Sequence, residues 1–415
     1  MSLIRFLRDN APFLAAGALL SFGSSFGQTF FISVFAGDIR AAFDLSHGAW
    51  GGIYTLGTTA SALVMIWAGG LTDRFRARAL GPAAMALLAL GCLGMAVLPG
   101  GWAVALPLVI FVLRFAGQGM MTHISVVAMA RWFAAGRGKA LSIASMGVAL
   151  GQAVLPVVFV AGLAVADWRL LWAAAAGLSL AAMPLALWLL RRERTPQSIA
   201  QHSQSLGMEG RHWTRNAAVT HWLFWMLVPA LLGPPAWGTA LFFQQVHLAE
   251  LKPWSLGQWV ALMPLFTAAT IGANLVTGAA LDRFGTARLM PWLMAPWTVA
   301  FLVLSQADGL GMAALGLAIA GIGGGVQAVL PGAFWAEFYG TRHIGAIKSA
   351  AAAVMVFGTA IGPGVSGLLI DRGIGFPDQM LGIAAYLGGA GLLLAWGVRR
   401  AARLLPVAGA ARRAA

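Results

Sequence analysis

The 415-residue chain carries 10% charged and 60% hydrophobic residues, with a mean hydropathy of +0.81. A soluble domain holds about 25% charged residues, so this chain is solvated chiefly by lipid rather than water. Its net charge of +14 is scattered over short loops and the C-terminal tail, with no basic amphipathic run, so nucleic acid is not an expected partner.

The opening residues, Met1 to Asn10, lead into an apolar stretch that reaches Ala36. That stretch is too long for a signal-peptide core, and it reads as a retained first span. Further runs of about 20 apolar residues follow at 46–70, 80–99, 102–129, 140–164, 167–190, 219–246, 256–281, 288–306, 310–334, 346–371 and 378–399. Twelve spans result, and their length and lack of alternation exclude a β-barrel. The expected fold is an all-α polytopic membrane protein: a six-helix bundle over 1–190, a polar linker over 191–218, a second bundle over 219–400 and a tail over 401–415.

Polar residues inside the spans fall in a pattern. Span 1 places Ser21, Ser25 and Gln28 on one helical face, and span 2 does the same with Tyr54, Thr58 and Ser61. Cys92, alone of its type, sits in an apolar run and reads as a small core residue, so no disulfide and no cysteine-based metal site is expected. Span 5 offers Gln152 and span 10 Gln327. Span 7 is expected to break at Pro234-Pro235, ahead of Trp237, Phe242, Phe243, Gln244 and Gln245. Trp102, Trp168, Trp188, Trp222, Trp254 and Trp396 lie near span ends, where an interfacial belt is the ordinary explanation.

Arg114 is the one basic residue near the middle of a span. A cation there costs about 2.5–3.5 kcal/mol on insertion scales. All thirteen acids lie in loops or at span ends, so none can pair with it at that depth. Either backbone carbonyls or a Gln satisfy the guanidinium and make it helix glue, or the missing anion is a substrate held by a two-donor fork. At 100° per residue, Gln118, Met121 and Ser125 share its face. His123 points elsewhere and reads as a hydrogen-bonded packing residue, with a proton relay as the alternative.

Of the 27 basic residues, 22 fall on the N-terminal side of the membrane, whereas Arg40, Arg169, Lys252 and Arg372 fall on the other. Acids divide seven to six, so the asymmetry belongs to Lys and Arg, and both termini are expected to be cytoplasmic in an inner membrane. No Walker sequence occurs, so ATP does not drive the protein, and neither a metal nor a cofactor is expected.

One short sequence occurs twice. Gly69-Gly70-Leu71-Thr72-Asp73-Arg74-Phe75, continuing to Arg78, matches Gly278-Ala279-Ala280-Leu281-Asp282-Arg283-Phe284, continuing to Arg288, and the two aspartates are 209 residues apart. Two sixes of spans, with G-x-x-x-D-R after spans 2 and 8, resemble the major facilitator superfamily. The copies depart from the family pattern at Arg76 and Ala77, and again at Thr286 and Ala287. The resemblance implies transport by alternating access, with Asp73, Arg74, Arg78, Asp282, Arg283 and Arg288 in the conformational switch. Arg131-Trp132-Phe133…Arg137-Gly138-x-Ala140, together with Gly358…Gly362-Pro363…Gly367, looks most like the monocarboxylate and oxalate/formate branches. Span 5 reads Gly147-x-x-x-Gly151-Gln152, lacking the proline that drug antiporters carry. Span 8 has no basic residue, its deepest polar group being Asn274, and Lys348 lies near the cytoplasmic edge, which disfavours a dianion.

The expected protein is therefore not an enzyme. It is a monomeric secondary transporter of a small organic anion, a monocarboxylate by preference, bound by Arg114, Gln118, Gln28, Tyr54, Gln152, Trp237 and Gln327. Its other partners are the bilayer and a proton or counter-anion. An exporter of drug-like compounds is the alternative; a membrane sensor or membrane-embedded enzyme is the remote one.

Overall fold

A computed structural model describes residues 3–133, 137–192 and 206–406, and among these every regular element is helical. In hydrocarbon the backbone must satisfy its own polar groups, and long apolar runs can do so only as helices or closed barrels. Eleven single helices are long and apolar enough to cross a membrane: 2 (His47–Ala68), 3 (Ala77–Val97), 4 (Gly100–Met129), 5 (Ala140–Leu163), 6 (Trp168–Leu189), 7 (Trp222–Phe243), 8 (Leu256–Leu281), 9 (Thr286–Ser305), 10 (Leu310–Tyr339), 11 (Ala346–Asp371) and 12 (Phe376–Ala402). The twelfth, span 1, is a pair, Phe6–Gly27 and Thr29–Phe43, bent by 46°. It runs past the expected end at Ala36, because the bend carries the chain onward as a second helix.

Two compact units are present. Unit 1 comprises residues 1–200, 242–247 and 363–372; unit 2 comprises 201–241, 248–362 and 373–415. Within unit 1, span 3 packs on 6, span 2 on 4 and span 1 on 5. Within unit 2, span 9 packs on 12 and span 8 on 10, which are the same pairs shifted by six. Matching glycines make the remaining pair close. A Cβ added at Gly147 would lie 2.8 Å from the Phe22 nitrogen in span 1, and one at Gly358 would lie 2.8 Å from the Leu232 carbonyl oxygen in span 7. Small residues let backbones approach where lipid offers no hydrophobic drive for association.

Two expectations need correction. The proline pair does not interrupt span 7, which stays helical from Trp222 through Phe243 with three prolines inside; the turn falls at Gln244. Membrane helices tolerate proline where neighbours pack closely, and Gly358 of span 11 lies against Leu232 and Pro235. Nor do all six tryptophans form a belt. Trp102, Trp188 and Trp396 are exposed, but Trp168 and Trp254 are buried, Trp254 stacking on Trp259 at 6.2 Å.

The polar segment after span 6 is described from Leu206 onward, while Arg194, Gln197, Gln201 and Gln204 lie outside the described residues. Its described part docks on unit 2. The Glu209 amide donates to the Leu404 carbonyl at 2.7 Å and the Trp213 amide to the Tyr339 carbonyl at 3.1 Å, with Met208 and Trp213 buried. His221 packs edge-on against Trp213 at 4.8 Å, and its Nδ1 accepts the Leu223 amide at 3.4 Å. Burial holds the imidazole below its ordinary pKa of 6.5, with Glu209 opposing and Arg211 adding to the shift. The folded state thus binds fewer protons than the open segment, so docking is full above about pH 6.5 and weakens as pH falls below it. Amide hydrogen exchange at Trp213 should accelerate between pH 7 and pH 5.5 relative to the intrinsic rate, and His221→Gln should remove that dependence. Equal protection at both pH values would refute the linkage.

Candidate polar site of span 4

The site begins with a failure of helix geometry in span 1. Ser24-Ser25-Phe26-Gly27 tightens into a 3-10 turn, and Gln28 follows in an extended conformation at φ −89°, ψ 153°. Gly23, Gly27 and two serines are poor helix residues, which lets the chain yield here. The helix restarts at Thr29, with the amides of Phe31 and Ile32 both taken by the Gln28 carbonyl. The Gly27 carbonyl is thereby left outside the helical ladder.

Span 4 supplies its partner. From Arg114 to Met121 the helix widens into π-helical turns, which are frequent at functional sites. Gly117 in this stretch touches Gly27: a Cβ on Gly117 would come within 2.7 Å of the Gly27 Cα. The contact seats Arg114 beside the bend, where Nη1 donates to the Gly27 carbonyl at 3.1 Å. Arg114 is 1% exposed, and its Nε and Nη2 are buried without a hydrogen-bond partner. Its guanidinium lies 5.4 Å from the Tyr54 ring centroid, a cation–π contact, and no described carboxylate pairs with it.

Tyr54 is fixed in turn. Its hydroxyl shares a 2.5 Å hydrogen bond with Thr29 Oγ1, and its ring lies 4.7 Å from that of Phe243. Below Thr29, Ser33 donates to the Thr29 carbonyl at 2.7 Å and accepts from Gln245 Nε2 at 2.9 Å. Thr29, Ser33 and Gln245 thus belong to the polar network although they were absent from the expected site; the signal was available in the hydroxyls continuing past Gln28.

The remaining expected residues are placed as follows. Gln28 is half-buried at the bend, Gln118 half-buried in the π-helical stretch, and Gln152 half-buried beside Gly151, which abuts Ser25. The expected face of Arg114 is altered, because π-helical turns break the 100° periodicity. Ser125 instead donates to the Gly17 carbonyl and accepts from Ser21, so it serves packing between spans 1 and 4. Trp237 and Gln327 belong to unit 2. Trp237 packs near Tyr386 at 6.2 Å, and the indole nitrogen of Trp237 and both amide atoms of Gln327 are buried without partners. His123 contacts the Gly69 carbonyl at 3.1 Å, at the start of the first G-x-x-x-D-R loop.

Arg74, Arg78, Arg283 and Arg288 are exposed, Arg283 lying over the Phe284 ring at 5.3 Å. The side chains of Asp73 and Asp282 lie outside the described residues. After the second loop, the Thr286 amide opens a short helix and donates to Glu337 at 3.3 Å.

Repeated helix pairs and a cation fixed at a helix bend define a polytopic membrane protein of duplicated six-helix design. The chain belongs to the Major Facilitator Superfamily of membrane transporters, whose family model matches residues 17–279. Among solved structures it is similar to an inward-facing, unoccupied bacterial homologue of the human lysosomal transporter Spinster, with a TM-score of 0.73, 15% identity, and coverage of 96% of this chain and 99% of that one. A D-xylose–proton symporter matches with a TM-score of 0.70, 14% identity and coverage of 95% and 98%, and a nucleoside transporter with 0.68, 17% and coverage of 94% and 99%. At these identities the likeness is one of fold. No curated protein matches the sequence.

Proposed function

We propose that the protein is a secondary transporter for a small organic anion bearing one carboxylate, working by alternating access with both termini cytoplasmic in an inner membrane. The observation that carries this reading is the free edge of Arg114. Its Nη1 is held by the Gly27 carbonyl, which leaves Nε and Nη2, two neighbouring donors in one plane, without a protein acceptor. Such a side edge matches the two oxygens of a carboxylate. Tyr54 holds the guanidinium plane, while Gln28, Gln118 and Gln152 offer neutral hydrogen bonds around it. Trp237 and Gln327 contribute from unit 2 in this reading. Asp73, Arg74, Arg78, Asp282, Arg283 and Arg288 act in switching between states.

The D-xylose–proton symporter and the nucleoside transporter share this fold and move different cargoes. The fold therefore does not choose the solute, and side chains must. Purified protein in liposomes loaded with single carboxylates should show counterflow of a labelled carboxylate, and Arg114→Gln should reduce it at least about a hundredfold, the loss of a charge-assisted two-donor contact. Undiminished counterflow in Arg114→Gln would overturn the anion reading. Export of apolar compounds that ignores both added carboxylates and this substitution would favour a drug-type exporter instead.

A further inference from the structure

Spans 7 and 12 of unit 2 meet where the docked polar segment enters span 7 and the chain leaves span 12. A Cβ at Gly397 would lie 3.1 Å from the Met226 sulfur and 3.4 Å from Leu223 Cδ1, so the two helices touch there. About one turn on, Arg400 places its guanidinium over two indoles, 5.2 Å from the Trp222 ring centroid and 5.7 Å from that of Trp396. Trp396 and Trp225 are exposed, as is Leu392 one turn deeper along span 12. Arg215, on the short helix leading into span 7, and Arg399 and Arg403 beside Arg400 are exposed too. Among the described residues, none of these four guanidinium groups meets a carboxylate or donates a hydrogen bond. Glu209, the acid of the docked segment, is taken by Arg211 at 2.9 Å. Arginine at this end of a span is ordinary, but this seat is not. Arg169 also lies over two rings, yet it spends Nη1 on the carbonyls of Ala96 and Leu98.

We propose that this seam is a docking site for an anionic phospholipid, its phosphate held by Arg400 and its tails lying along Trp396 and Leu392. A ring face holds a guanidinium through its quadrupole and uses none of the N–H donors, so Arg400 is fixed in place with its fork still available. That planar fork matches phosphate oxygens two at a time. Charge selects the lipid: Arg215, Arg399 and Arg403 favour a headgroup of net negative charge and oppose the ammonium of a zwitterionic one. The exposed indoles and Leu392 distinguish a lipid from a free phosphate ion, because they offer apolar surface that acyl chains cover. Bound there, the lipid joins the ends of two spans. It also steadies the docking of Glu209 on Leu404, which is carried on the same end of span 12.

Full-length protein stripped of lipid in detergent, followed by native mass spectrometry and thermal unfolding, tests the site. Phosphatidylglycerol should give one retained adduct and a raised melting midpoint, and it should bind at least about tenfold tighter than phosphatidylcholine. Arg400→Gln should weaken the phosphatidylglycerol adduct about tenfold or more, the loss of a charge-assisted two-donor contact. Arg400→Lys keeps the charge but not the fork and should fall between. Arg191→Gln is the control, because Arg191 lies over a single indole, Trp188 at 4.8 Å, at the end of span 6; it should leave the adduct unchanged. Lipid-free midpoints of every variant separate a folding defect from lost binding. If Arg400→Gln does not accumulate, Trp396→Leu, which removes one ring and no charge, tests the same seat, with a loss of about threefold expected. Equal retention of both lipids, an equal loss in Arg191→Gln, undiminished binding in Arg400→Gln or Trp396→Leu, or displacement of the lipid by inorganic phosphate alone would overturn the site. No cargo enters the measurement, so its failure is distinct from a failure of carboxylate counterflow.

Discussion

Replacing Arg114 by Met is expected to abolish carboxylate exchange and to raise thermal stability at the same time. The guanidinium is buried with two of its donors unpaired, and a buried charge without full pairing opposes folding. Met fills a similar volume with apolar, flexible atoms. Exchanging buried ionic groups for apolar ones of like volume is often stabilising by about 1–4 kcal/mol. The Gly27 carbonyl would lose its donor, at a cost of about 1 kcal/mol, so a net gain of up to about 3 kcal/mol is the expectation. A cation held only to staple spans 1 and 4 behaves oppositely, its removal costing about 1–3 kcal/mol by leaving the buried Gly27 carbonyl unsatisfied. Thermal unfolding in detergent, followed by loss of monodisperse protein, decides between them by sign. Arg114→Lys adds a control: it keeps the charge but lacks the planar fork, so exchange should remain depressed at least about tenfold. A destabilised Met variant would leave Arg114 as structure alone.

The twelve spans were legible because each is a long apolar run, and lipid forces such runs into helices. The duplication was legible in the Gly69–Arg78 and Gly278–Arg288 loops, and the structure extends it to the helix pairs and to Gly147 and Gly358. Arg114 stood out for the same reason that makes it costly, a charge amid hydrocarbon. What surrounds it was not legible. Gly23, Gly27 and two serines mark a weak point in span 1, but the meeting of Gly27 with Gly117 across two helices is a tertiary contact with no local signature. The π-helical turns shift every residue after Arg114 relative to an ideal helix, so a face read at 100° per residue does not reveal that Ser125 bonds Gly17 and Ser21 of span 1. Proline misled in the opposite direction, since Pro234 and Pro235 are strong breakers in water yet are carried within span 7.

Gly27 is a position where a very small change should do large damage. A Cβ there would strike the Leu113 carbonyl oxygen and lie 2.9 Å from the Gly117 Cα. Both obstacles are backbone, so no side chain can swing away, and the helices themselves must part. Overpacking of this kind costs about 1–3 kcal/mol, occasionally more. Gly27→Ala should sit at the upper end of that range, and Gly27→Val, with branching on the same atom, should fail to accumulate as folded protein. The Ala variant has a second consequence: separating spans 1 and 4 lengthens the 3.1 Å bond from Arg114 to the Gly27 carbonyl, so whatever exchange survives should be weaker at limiting substrate. Gly52 in span 2 is the internal control, because a Cβ there meets nothing within 4 Å. Gly52→Ala should be neutral or stabilising by up to about 1 kcal/mol, the helix-propensity difference alone. Parallel melting curves of the Gly27 and Gly52 variants test the contact directly, and equal midpoints would mean that spans 1 and 4 do not meet at this glycine.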